Sequence, residues 1–158
     1  MSLLAFFEWC EQSGIGDAIR NSVWLFPIIE AFHLVGLGIV GGAVLVVDLR
    51  LMGVGLRRQP VARLAEDVEP WLLGSLALMF ASGIPLFLSE AIKCYYSFAF
   101  WVKMTSLLLV VVYTFTVRRR VTRTVDISTQ PLIGRIAALV SLTLWAGVGW
   151  GGRWIGFS

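Results

Sequence analysis

Residues 23–47 read VWLFPIIEAFHLVGLGIVGGAVLVV. The run is long enough to cross a bilayer, since roughly 20 residues span the ~30 Å hydrocarbon core. It carries Glu30 and His33, and His33 is the single histidine of the chain. An ionisable group at that depth costs about 2.5–3.5 kcal/mol on insertion scales unless it is paired or neutral. The stretch therefore sets the fold class and raises the functional question together.

Working outward, three more apolar runs follow: Pro70 to Ser89, Phe98 to Val117, and Leu132 to about Trp154. The whole chain of 158 residues is 58% hydrophobic and only 15% charged, and its mean hydropathy is +0.81. Soluble domains are nearer half apolar and a quarter charged. The expectation is an all-α integral membrane four-helix bundle in one domain, 1–158, with spans near 22–48, 70–89, 98–118 and 132–155. Residues 2–13 place Leu3, Leu4, Phe6, Phe7 and Cys10 at helical spacing, with Glu8 and Glu11 between them. That pattern suits a short helix in the membrane interface rather than a signal peptide, which would open on basic residues. The connection Glu90–Ser97 is short, so spans two and three are predicted to be antiparallel neighbours.

The formal charge of +3 does not indicate nucleic acid, because the basic residues cluster at the ends of apolar runs. Nine of the thirteen Lys and Arg residues border the first and third connections: Arg50, Arg57, Arg58, Arg63, Arg118, Arg119, Arg120, Arg123 and Arg135. Lys/Arg bias sets orientation. These loops are therefore expected in the cytoplasm, both termini outside, and the protein in the inner membrane of a cell. Gly38/Gly42 and Gly147/Gly151 have the small-xxx-small spacing that lets helices approach closely, either inside one bundle or between copies. A homo-oligomer or a partner in a membrane complex is expected on that basis.

Glu30 and His33 are three apart and share a helix face. Asp48 lies five helical turns after Glu30 and returns to its azimuth, so this side of the span is expected to face protein or water; Asp48 and Arg50 close its inner end. His33 lies roughly 16 Å below the outer end of its span and Met79 reaches a similar depth from the other direction. Toward the outside come Glu90, Lys103, Trp145 and Arg153. The expected site is an outward-facing polar pocket of Glu30, His33, Lys103 and Arg153, with Glu90 and Trp145 beside it. His33 is the candidate ligand of a transition metal, with Glu30 orienting the imidazole or joining it. Structural roles compete: an ion pair of Glu30 with Lys103 or Arg153, a neutral hydrogen-bonded His33, and plain packing for Met79. Cys10 and Cys94 fall on one side and are candidates for a disulfide. No nucleotide loop, Cys-x-x-Cys or nucleophile elbow occurs, so no catalytic residue is assigned and enzymatic turnover is not expected. The expected role is a metal- or haem-binding redox or metal-handling subunit, with a proton or small-ion permeation module and a non-catalytic oligomeric scaffold or accessory subunit as the alternatives.

The blocks WLFPIIEAFHLVG (24–36), VDLRLMG (47–53), FWVKM (100–104) and GRWI (152–155) resemble a family of small bacterial four-helix membrane proteins that carries a domain-of-unknown-function label. The resemblance implies a four-span bundle and brings no activity. In outline the layout is also similar to copper-resistance-D-type proteins and cytochrome b561-like bundles. The latter hold haem between histidines on different helices. What that likeness implies here is haem b ligated by His33 from each of two copies, or by His33 with Met79.

Overall fold

The structure is a computed structural model that describes residues 2–55, 58–126 and 128–157; Arg57 lies outside the described residues. Helix α1 runs Leu3–Glu11 and α2 Gly14–Arg20. Each starts at a serine whose hydroxyl accepts an otherwise orphaned amide, Ser2 from Ala5 and Ser13 from Gly16. The long helices are α3 (Leu25–Leu51) and α4 (Val61–Ser89). A short α5 (Ala91–Tyr96) leads into α6 (Phe98–Tyr113), which continues through a π turn, Thr114–Arg118, into α7 (Arg119–Thr124). The last helix is α8, Pro131–Ile155. Four helical segments are long and apolar enough to cross a membrane: Leu25–Leu51, Val61–Ser89, Phe98–Thr124 and Pro131–Ile155. The expected multi-pass, all-α architecture with a short N-terminal helix is what the chain adopts.

Helix α4 opens at Val61 behind Pro60, not at Pro70, where the second span was expected to begin, and runs through both Pro70 and Pro85. Each proline withholds one amide from the ladder. Hydroxyls along the spans turn back onto the carbonyls of their own helix: Ser75 onto Trp71, Ser82 onto Leu78 and Thr143 onto Leu139. In hydrocarbon this satisfies the hydroxyl locally, where water cannot.

Packing follows two pairs. Helix α3 lies along α4, α6 lies along α8, and α3 joins the pairs through α8. Spans two and three, expected to be neighbours, meet at their ends rather than along their length: Phe87 of α4 stacks on Phe100 of α6 at 5.7 Å, and α7 packs against α4 at the Arg-rich end. The connection between them is not a tight turn but carries α5, and α1 packs against α5 at this end. Glu11 takes the Ile92 amide on its carboxylate at 2.6 Å, and Arg20 reaches the Glu11 and Ser89 carbonyls. Phe7, Cys10, Ala91, Cys94 and Phe100 form a buried aromatic layer there. Both cysteines are free thiols. Burial, reinforced by the neighbouring Glu90 carboxylate, pushes the Cys94 thiol up to about 11.

Two further layers complete the interior. Val40, Ala43, Val44, Leu72, Leu76 and Met79 fill the middle, and Val47, Leu51, Val61, Leu64 and Ala138 fill the Arg-rich end. The glycines divide by role. A Cβ at Gly151 would sit 2.7 Å from the Ala99 carbonyl oxygen and 2.9 Å from the Lys103 nitrogen, and one at Gly147 would press on Ser106. This pair is where α8 approaches α6. Gly38 and Gly42 have nothing within 4 Å and face outward.

Gly151→Ala should accordingly lower stability by about 1–3 kcal/mol through overpacking against main chain. Gly42→Ala should leave unfolding of the isolated chain unchanged or slightly raised. Unfolding in mixed micelles, read by circular dichroism, compares the two.

Candidate functional site

The histidine layer lies between α3 and α4. His33 is half-buried, and its Nδ1 lies 2.9 Å from Ser82 Oγ. The ring lies against Gly83, where an added Cβ would come within 3.2 Å of Cε1, so the small residue there makes room for an imidazole. Ser82 has one proton, and its hydroxyl is 2.7 Å from the Leu78 carbonyl. A hydroxyl already donating to a carbonyl must accept from its second neighbour. His33 therefore donates through Nδ1, its neutral ring keeps the lone pair on Nε2, and the Met79 main chain lies within hydrogen-bonding reach of the same imidazole.

The other expected members of this site are dispersed. Glu30 is exposed and makes no ion pair or hydrogen bond among the described residues. Arg153 is exposed and stacks over Phe157, 4.7 Å from the ring centroid. Glu90 faces Lys93 at 3.6 Å. Lys103 runs along Gly151 and Gly152 of α8 and is close enough to act electrostatically on His33. Met79 is buried one turn from the imidazole, its Cγ 3.0 Å from where a Gly36 Cβ would sit. Trp145 packs against the middle apolar layer, and its indole nitrogen is buried without an acceptor among the described residues. Among the described residues, no group of three His, Cys, Asp or Glu side chains gathers as a metal centre would require.

A second polar layer lies toward the Arg-rich end. Asp48 has no exposed surface, and Arg118 is 6% exposed. Arg118 Nε donates to Asp48 Oδ1 at 2.8 Å, and its terminal nitrogen donates to the Val44 carbonyl at 3.2 Å. The π turn explains how an arginine of a basic cluster points inward. In an ideal α-helix, residues four apart drift by roughly 40° per step. Yet Val110, Thr114, Arg118 and Thr122 are all buried. The wider π turn absorbs the drift and keeps the four on one face. Arg119 and Arg123 stay outside and pair with Glu69 at 3.3 and 3.6 Å.

The fate of Glu30 follows from the same geometry. At 100° per residue it shares the azimuth of Asp48, and both lie at the margin of the stripe centred on Val40 and Leu51. A residue at that margin is buried only where another helix covers it. Arg118 covers Asp48; no described residue covers Glu30.

Several buried polar atoms of this half have no partner at hydrogen-bond distance among the described residues: Asp48 Oδ2, Thr114 Oγ1 and Ser141 Oγ. Ser141 is near enough to act on the Asp48 carboxyl. A small crevice of about 40 Å³ passes Arg118 and Thr114 and is flanked by Glu66 and Glu69. Buried unsatisfied polar atoms are rare in folded chains and mark bound water, an ion or a working group.

A sequence profile described as "Family of unknown function (DUF6644)" matches residues 6–158. The chain belongs to this family. No curated protein and no solved structure matches it. The DUF6644 match supports the resemblance read from the four sequence blocks, whereas the outline likeness to copper-resistance-D-type and cytochrome b561-like bundles gains nothing from it. Both polar layers fall within the matched region.

Ser82→Ala should remove the acceptor that fixes the imidazole. Selective ¹⁵N-histidine labelling gives one signal pair, which should report Nδ1–H in the parent and a mixed tautomer in the variant. Separately, Asp48→Ala and Arg118→Ala should each cost about 3–5 kcal/mol by leaving the partner buried and alone. The double variant should cost less than the sum, as a thermodynamic cycle on unfolding midpoints would report.

Proposed function

We propose that this chain is a membrane module that relays or transports protons or small cations, with Asp48 as the exchanging group. The observation that carries this reading is the second oxygen of Asp48: Oδ1 is taken by Arg118, while Oδ2 is buried without a donor at hydrogen-bond distance among the described residues, the Ser141 hydroxyl being the neutral group nearest the carboxyl. A carboxylate held on one side keeps lone pairs for a proton, a water or a cation. Intramembrane ionisable groups shielded from lipid are the usual components of such paths. The crevice beside Arg118 and Thr114 has room for a water or two; it reaches Arg118, the partner of Asp48, but not Asp48 itself, so a local opening has to join the two. By the charge asymmetry of the connections we place the Arg-rich end in the cytoplasm. His33 with Ser82 forms a second polar station. Between the stations, Val40, Val44, Leu72, Leu76 and Met79 make a dry layer, which has to part or hydrate for passage.

A metal or haem held by one chain fits these residues poorly. His33 is the only imidazole, Glu30 is exposed beside it rather than turned toward a shared centre, and Met79 is packed into the Gly36 notch. Self-association has one observation in its favour, the open Gly38/Gly42 face.

The test is flux. Purified protein is reconstituted into vesicles enclosing a pH-sensitive dye, and a potassium diffusion potential is applied with and without sodium or potassium gradients. The parent protein should acidify or alkalinise the lumen faster than protein-free vesicles. The isosteric Asp48→Asn, with unfolding midpoint measured in parallel, should fall to the protein-free rate. Equal flux in parent and variant, or none from the parent, overturns the reading.

A further inference from the structure

Residues 50–53 and 60–62 face residues 122–126, Ser128, Pro131 and Arg135 at the Arg-rich end across an open cavity of about 570 Å³. That volume lies within the ~300–1,000 Å³ typical of small-molecule sites. Three arginines line it, Arg50, Arg123 and Arg135, against a single carboxylate, Asp126. Arg135 is exposed and has no ion pair or hydrogen bond among the described residues. Arg123 touches Glu69 only at 3.6 Å. Arg50 donates through Nε to the Gln59 carbonyl at 2.9 Å, which anchors its guanidinium at the wall.

Asp126 does not answer these cations. Its Oδ1 accepts from the Ser128 amide at 2.9 Å and the Ser128 hydroxyl at 2.6 Å, and those bonds hold the carboxyl below the usual range. It closes its own turn and leaves the cavity with an excess of positive charge. The first turns of α4 and α8 also line the cavity through Val61, Ala62 and Pro131. Neither helix has a side-chain N-cap, so their amino-terminal dipoles add to the same field.

We infer that this cavity binds a phosphate-bearing anion, either the headgroup of an anionic phospholipid or a soluble phosphoester, through Arg135 and Arg123, with Arg50 adding positive charge at the wall. Guanidinium forks match phosphate oxygens in pairs. The cavity is larger than a bare phosphate needs, which favours an anion with an organic substituent. This site is separate from Asp48 and stands whether or not the chain moves ions.

The experiment uses the full chain in neutral detergent, with native mass spectrometry and thermal unfolding as readouts. The probes are phosphatidylglycerol, glycerol 3-phosphate as the soluble counterpart, and phosphatidylcholine as the neutral control. Phosphatidylglycerol or glycerol 3-phosphate should bind and raise the midpoint, and phosphatidylcholine should not. Arg135→Gln should weaken binding roughly fivefold, and Arg123→Gln with Arg135→Gln further still. Arg120→Gln, which removes an equal charge from the same end but outside the cavity, should leave binding unchanged. Binding of the lipid alone assigns the site to a headgroup, and binding of glycerol 3-phosphate assigns it to a soluble phosphoester. Failure of both probes, or an Arg120→Gln loss equal to that of Arg135→Gln, overturns the inference.

Discussion

The contact between Asp48 and Arg118 constrains the rest of this bundle. It is the one buried ion pair among the described residues, and it ties the α3/α4 pair to the helix that leads α6 into α7. Two ions out of water lose several kcal/mol of hydration each, which their attraction offsets only with good geometry and further hydrogen bonds. Arg118 gains such a bond from the Val44 carbonyl, whereas Asp48 has one oxygen unmatched. The pair is thus better at specifying which surfaces meet than at holding them. Apolar layers above and below supply the cohesion, and the pair sets the register.

Much of the architecture was legible in the sequence because a bilayer leaves few options. Hydrophobic run length gave the spans, and apolar residues at helical spacing marked α1. Helix pairing was legible only in part. Loop length alone suggested that spans two and three adjoin, and they do meet at both ends, but the closer packing of α3 with α4 and of α6 with α8 could not be read from loop length. Pro70 misled for a related reason: proline tolerates a helix start, but a long apolar helix carries it in the interior as well.

The candidate site was read less well. His33 was singled out as the single histidine in an apolar run, and the partner the structure gives it is Ser82, one of many serines in the chain. Glu30 and Asp48 looked equivalent by azimuth, and only the covering helix distinguishes them. Arg118 was hidden inside a run of basic residues that reads as a topology signal. A π turn redirects one of them, and nothing in local composition announces it. Thr114 and Ser141 were invisible for the same reason: a hydroxyl in an apolar helix normally bonds its own backbone, and that these two do not is a fact of packing.

The order in which the chain is made gives the pair a further consequence. Asp48 and Arg118 are 70 residues apart and belong to different helical hairpins, the first built from α3 and α4, the second from α6 and α8. At ~5–20 residues per second of synthesis, the carboxyl waits roughly 4–14 seconds before its arginine exists. It stands only about 5 Å from the end of its helix, near enough to the headgroups to stay hydrated or protonated meanwhile. Closure of the second hairpin onto the first is then a late assembly step that draws an acid out of water, and the nascent protein is most exposed to quality control just before it.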